Sequence, residues 1–176
     1  MSLKEVVEYF ERVDPKVFEY WCCQETAPAM TDVDRVQADT GFTLPDEFRQ
    51  FTTSRLAGMH IVVREEVWPR RQGGAFWWFL YGISVFGIGR GVPDWLDMQA
   101  QYQRFQDEDR TDLMPFMRVV GDPDRYCFTR VGEIVRWSNN RIDPMPIKST
   151  FSELMMRELM ALEERKDRVL RDGLTR

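Results

Sequence analysis

With 176 residues, 43% hydrophobic and 30% charged, the chain has the length for one domain with a sizeable core and an ordinary soluble composition. Its net charge of −5 sits entirely in the first quarter: residues 1–44 carry four basic side chains against nine acidic ones, and the remainder balances. Such a surplus disfavours nucleic acid as a partner and favours basic surfaces. The N-terminus, Met1 to Glu8, lacks the apolar core of a secretory signal. Residues 72–89 carry no charge, but five glycines interrupt them, so two consecutive buried strands bent at Gly82 are expected and not a membrane span. Cys22, Cys23 and Cys127 form no Cys-x-x-Cys pair, and an odd number argues against a disulfide framework. Reduced thiols and a cytoplasmic location follow.

Leu3, Val6, Val7, Phe10 and Val13 recur at helical spacing. Asp14-Pro15 breaks that helix and restarts one through Val17, Phe18 and Trp21, which Ala27-Pro28 ends. Thr31-Asp32-Val33-Asp34 reads as an N-cap with acids in the first turn, Val33 and Val36 face inward, and Gly41 stops the helix. Pro45 opens a helix carrying Phe48 and Phe51 on one face.

From His60 the period changes. Ile61-Val62-Val63 and the long stretch Ala75 to Phe86 read as strands. Pro93 starts a helix with Trp95, Met98, Tyr102 and Phe105 on one stripe, giving way to a loop at Asp107-Glu108-Asp109. Phe116 to Val120 is a strand ending in the turn Gly121-Asp122-Pro123-Asp124. Tyr126 to Thr129 and Glu133 to Trp137 pair as a hairpin through Arg130-Val131-Gly132, and Ser138-Asn139-Asn140 turns the chain again. Thr150-Phe151-Ser152-Glu153 is a capping box opening the last helix, whose Phe151, Met155, Leu159, Leu162 and Val169 share a face up to Gly173. Segregated elements of this kind predict a single α+β domain: a mostly antiparallel sheet of about five or six strands covered by N-terminal and C-terminal helices.

This order, with Gly41, Leu44, Pro45, Asp46, Phe48 and Phe51, then Val119, Val120, Gly121, Asp122 and Asp124, then Gly132, Glu133 and Trp137, resembles the SUKH superfamily. That group includes yeast cell-wall-synthesis regulators and many bacterial immunity proteins. By the resemblance, residues 31–162 form the core, residues 1–30 a helical extension and residues 163–176 the end of the C-terminal helix. The chain departs from the usual pattern at Thr52-Thr53-Ser54-Arg55 and at Ser138-Asn139-Asn140. Pro45 fixes φ for a first helical turn and pushes Leu44 into an extended conformation, so Leu44, Phe48 and Phe51 dock as a unit. Together with Gly41, Gly121, Asp124, Gly132 and Trp137 they are residues of the fold and not of a site.

Candidate chemistry is thin. His60 is the only histidine, which excludes paired-His metal or catalytic clusters. Gly87-Ile88-Gly89-Arg90-Gly91 completes neither nucleotide-binding glycine pattern and reads as a strand end. Asp122-Pro123-Asp124 and Asp107-Glu108-Asp109 lack the calcium-loop pattern and read as a turn and a solvated loop. In Phe76-Trp77-Trp78-Phe79-Leu80-Tyr81 one aromatic face packs under helices and the other forms a second layer or an exposed patch. Trp68-Pro69-Arg70-Arg71 is the better loop contact, since Trp and Arg dominate interface hot spots.

The expectation is therefore a non-enzymatic protein-binding domain that needs no metal or cofactor and engages neither nucleic acid nor membrane. The resemblance implies an immunity protein occluding a cognate, nuclease-type toxin. Its contact surface is expected among Glu5, Glu8, Glu11, Asp32, Asp34, Asp39, Trp68, Arg70 and Arg71. The alternatives are a regulatory scaffold of the same fold binding host proteins, and an enzyme using His60 or a carboxylate pair.

Overall fold

A computed structural model describes residues 2–23, 25, 27–69, 75–108, 110–138, 141 and 143–174. Arg70, Arg71, Asp109, Asn139 and Asn140 lie outside the described residues. In chain order the elements are α1 (Leu3–Arg12), β1 (Phe18–Trp21), α2 (Met30–Thr40), α3 (Asp46–Thr52), β2 (His60–Val63), β3 (Gly82–Val85), α4 (Met98–Asp107), β4 (Leu113–Val119), β5 (Arg125–Thr129), β6 (Ile134–Trp137), β7 (Met145–Pro146) and α5 (Phe151–Leu174). The seven described strands form one sheet in sequence order, each antiparallel to its neighbour. Every ladder therefore joins segments consecutive among the strands, with helices inserted at the connections. This is the α+β single domain expected, with one strand more than the upper count.

β1 and the two-residue β7 are the strands that the sequence reading does not anticipate, and at β1 the apolar spacing suggests a helix. Backbone N–H groups of Val17 and Phe18 close one turn onto the Asp14 carbonyl, at 3.0 and 2.9 Å, and the chain then extends. Phe18, Tyr20 and Trp21 are aromatic residues suited to a pleated surface, and β2 supplies the ladder from Phe18–Val63 to Trp21–His60. Tertiary pairing outweighs the weak helical stripe. Val6, Phe10 and Phe18 join the central core, so the first thirty residues contribute an edge strand and a packed helix.

The long aromatic strand is also corrected. Phe76–Phe79 is a single 3-10 turn and β3 spans only Gly82–Val85. The neighbours explain the shortening: Val63 N–H bonds to the Tyr81 carbonyl and Val120 N–H to that of Gly82, beyond which both flanking strands have ended. Residues before Tyr81 thus have no ladder to join, and Trp78 N–H instead closes onto Ala75, at 2.9 Å. Phe76 and Phe79 are left exposed.

α4 begins five residues after Pro93. Gly87 draws Leu96 and Met98 into a short parallel bridge, with Gly87 N–H to Leu96 O at 2.9 Å and Met98 N–H to Gly87 O at 2.8 Å. Asp97 then caps the helix by accepting from Ala100 N–H at 2.7 Å. Trp95 is thereby removed from the helical stripe and left half-exposed. α2 likewise starts at Met30, with Asp32 at its third position accepting from Ala29 N–H at 3.1 Å.

α1, α3 and α5 cover one sheet face. There Phe48 is fully buried, its ring 5.7 Å from Phe116, 5.0 Å from Phe128 and 5.3 Å from Phe151. Phe51 touches Phe151 from the other side at 5.0 Å. The opposite face carries a smaller cluster of Phe105, Leu113, Cys127, Val135 and Trp137 under α4. Alternation separates the two: Cys127 lies between Tyr126 and Phe128, both in the large core.

Phe48→Ala removes the ring shared by α3, the sheet and α5. It is expected to destabilise the protein by about 3–5 kcal/mol, read as a lower urea midpoint at unchanged slope.

Candidate functional site

The residues that carry the sequence motifs meet at one junction. Pro45 adopts φ −58° and ψ 145°, turning the extended Leu44 into α3. Leu44 N–H bonds to Gln37 Oε1 at 2.7 Å, and Gly41 ends α2 with its N–H on Gln37 O at 2.9 Å. The β5–β6 turn docks here: Thr43 N–H reaches Arg130 O at 3.0 Å, and Gly132 sits at φ +84° against the Thr43 carbonyl. A Cβ on Gly132 would lie 3.0 Å from that oxygen in a backbone conformation that L residues avoid. From α3, Glu47 Oε2 accepts from Ser152 N–H at 2.9 Å, while Thr150 and Glu153 close the capping box of α5. A cleft of about 660 Å³ lies beside this junction, between Pro45, Glu47, Glu133, Pro146, Ile147 and Phe151.

The second motif turn is tied down by charge. Gly121 takes φ +84°, and a Cβ there would collide with the Phe79 carbonyl, so only glycine fits. Arg136 bonds to Asp122 and Asp124, each at 2.9 Å, which accounts for the paired acids without a cation. Trp137 is buried, 4.8 Å from Phe105. Among the described residues no group of three His, Cys, Asp or Glu side chains is placed to hold a metal ion.

The six predicted acidic residues lie on two amphipathic helices. Val6 and Phe10 of α1 and Val33 and Val36 of α2 point into the core, so the carboxylates lie off the buried stripes. Glu5 closes the α1 capping box, and Glu8 lies 3.5 Å from Lys4 and 3.8 Å from Arg12. Glu11 pairs with Arg55, Asp32 with Arg35 and Asp34 with Arg49; Asp39 is exposed. These ion pairs are at the surface, where each contributes about 0–1 kcal/mol and can exchange partners cheaply.

Trp68 does not serve as a surface anchor: it is 1% exposed and belongs to the core. Its backbone N–H turns back onto Arg64 O at 2.9 Å, and the loop folds the indole inward. Cys23 and Cys127 are buried and Cys22 half-buried, and no disulfide joins them. Burial pushes Cys22 up to about 12 and raises Cys127 as well, so neither is a thiolate near neutrality.

Sequence reasoning missed a different surface. Trp21 and Trp95 stand exposed with ring centroids 6.3 Å apart, and His60 meets Trp95 edge-on at 5.0 Å. His60 Nδ1 lies 3.0 Å from the hydroxyl of Ser84, which is fully buried. Burial, reinforced by Arg118, holds His60 below its usual pKa, with Glu19 acting in the opposite direction. No local pattern marks these residues; strand register alone joins them.

The SMI1/KNR4 family (SUKH-1) matches the chain over residues 29–157. No curated protein matches it. No helix among the described residues is long and apolar enough to cross a membrane.

Two outcomes follow from this geometry. Gly132→Ala should cost about 1–3 kcal/mol through the strained φ and the Thr43 contact, measured by urea denaturation. His60 favours its neutral form in the fold, so the unfolded chain binds that proton more readily. The associated stability is complete above about pH 6.5 and is lost as pH falls through the lower folded value. The wild type should therefore lose more stability than His60→Gln between about pH 7.5 and about pH 5.5.

Proposed function

The chain belongs to the SMI1/KNR4 family (SUKH-1), and from that premise we propose that it acts by covering another protein, as an immunity protein that occludes a basic, nuclease-type toxin. The family match over residues 29–157 carries this reading. The acid-bearing surfaces of α1 and α2 support it as the face of encounter. Attraction between these carboxylates and a basic substrate groove would raise the association rate. The chain exposes 9656 Å² of surface, and a standard complex uses about 800 Å² per partner, so one face suffices without a deep pocket. Exposed ion pairs such as Glu8 with Lys4 and Arg12 can re-pair with the partner at little cost. No step of bond making or breaking is required: the toxin is inhibited because its substrate is kept out.

The test first asks whether the neighbouring gene encodes a toxin, whose absence would favour a regulatory role, and then mixes the purified chain with that gene's product. Inhibition should reach completion at one chain per toxin. The double charge reversal Glu8→Lys with Asp39→Lys should slow association about tenfold at low salt and flatten its salt dependence. A wild-type rate indifferent to salt would remove the acidic face from the mechanism. Failure to inhibit the toxin at any ratio would remove the immunity role.

A further inference from the structure

Three consecutive ladders set one side chain from each of four strands into a row. Trp21 faces His60, His60 faces Ser84 and Ser84 faces Arg118. Directly opposed residues share a sheet face. This face is turned away from the large core, because Ile61, Ile83 and Val119, the neighbours of row members, are all in that core. Trp95 stands over the Trp21–His60 end.

Arg118 occupies the other end because of a bulge. The β4–β5 register shifts between Pro115 and Met117. Met114 faces Phe128 in the core, so strict alternation would carry residue 118 to the same side. The extra residue instead lets Met117 and Val119 face the core and turns Arg118 outward.

The charge at this end is unbalanced. The Arg118 guanidinium lies over the Phe86 ring at 5.9 Å, it has no carboxylate partner among the described residues, and its Nε is buried without a hydrogen-bond partner. Its electrostatic neighbours are Arg104 of α4 and Arg125 of β5, with Tyr81 nearby. Glu108 and the turn acids Asp122 and Asp124 act on Arg125, and Glu19 lies by His60 at the far end. A half-buried guanidinium whose leading charged neighbours are two further arginines is a costly arrangement, since burial and like charge both disfavour the cation.

We propose that this face is a second docking surface, for an acidic segment of a partner protein whose carboxylates meet Arg118 and Arg104 while its apolar residues lie on Trp21 and Trp95. Charge complementarity selects the occupant: the guanidinium fork matches a carboxylate in two parallel hydrogen bonds. Paired Trp rings supply the flat apolar contact that anchors interfaces. Nucleic acid fits less well, since its affinity grows with the number of phosphates neutralised, and this surface offers only a few cations. Trp21 shares a pocket with Phe10 and Glu11 of α1, so the two faces adjoin there, and the basic end at Arg118 and Arg104 is what sets this proposal apart from the immunity reading.

The experiment is a titration of the isotope-labelled full chain with three probes: a short peptide alternating Glu and Leu, its Gln-for-Glu counterpart and an oligothymidylate. The Glu/Leu peptide should shift the Trp21 and Trp95 indole signals and the Arg118 Nε signal, and the Gln/Leu peptide should not. Arg118→Gln should weaken the Glu/Leu peptide about tenfold or more. Trp21→Ala, at an exposed ring, should weaken it too, and Glu8→Lys should leave it unchanged. Unmoved indole and Nε signals would overturn the proposal. So would tighter binding of the oligothymidylate at these signals, or self-association of the wild type that Trp21→Ala abolishes.

Discussion

The packing of Phe48 holds α3, the sheet and α5 of this protein together. Its ring is edge-on to Phe116 and Phe128 of the sheet and to Phe151 at the start of α5. Phe116 and Phe128 are themselves stacked at 4.0 Å, nearly parallel, on adjacent strands. A seven-residue helix has little stability of its own. α3 exists because Phe48 and Phe51 are buried completely and because Pro45 fixes its first turn. The same contact sets where α5 begins, since Phe151 is both the first residue of that helix and a wall of the Phe48 site.

From that anchor the remaining motif residues acquire reasons. Once α3 is seated, the Leu44–Pro45 step lies across the β5–β6 turn, and only a residue without a side chain fits at position 132. Glu47 then reaches an otherwise unpartnered backbone N–H at the start of α5. Segments more than a hundred residues apart are thus fixed by one hydrophobic ring, one glycine and one carboxylate. These residues are spent on the fold, so the chemistry of recognition must come from elsewhere on the surface.

How much of this was legible in the sequence follows from the range of the forces involved. α1, α3, the β5–β6 hairpin and α5 are governed by local signals: a stripe of apolar residues, a proline at a helix start, a glycine turn, a capping box. All four stand where the sequence places them to within a residue or two. β1 and the Phe76–Phe79 turn were misread because their conformation is decided by whether a neighbouring strand is present, which no window of local sequence contains. Trp68 was misread for a related reason: composition makes Trp-Pro-Arg-Arg look like an interface loop, but the backbone turn at Arg64 points the indole inward. The acidic surplus and its place on two helices were legible, while its local arginine partners were not.

The row from Trp21 to Arg118 lies beyond sequence reasoning for a deeper reason. Its four residues belong to four strands, and the last of them faces outward only because of one irregularity between Pro115 and Met117. In a regular strand Arg118 would point into a core of Phe and Met side chains, where an unpaired guanidinium is prohibitively costly. The bulge is therefore required by the charge as much as by the core. It lets Met117 and Val119 complete the Phe48 side while moving a cation to the other side. A net charge of −5 describes the whole chain, but a partner meets one face at a time. On the two surfaces proposed above the faces differ in sign, and an approaching charged molecule would be oriented by that difference before any contact forms.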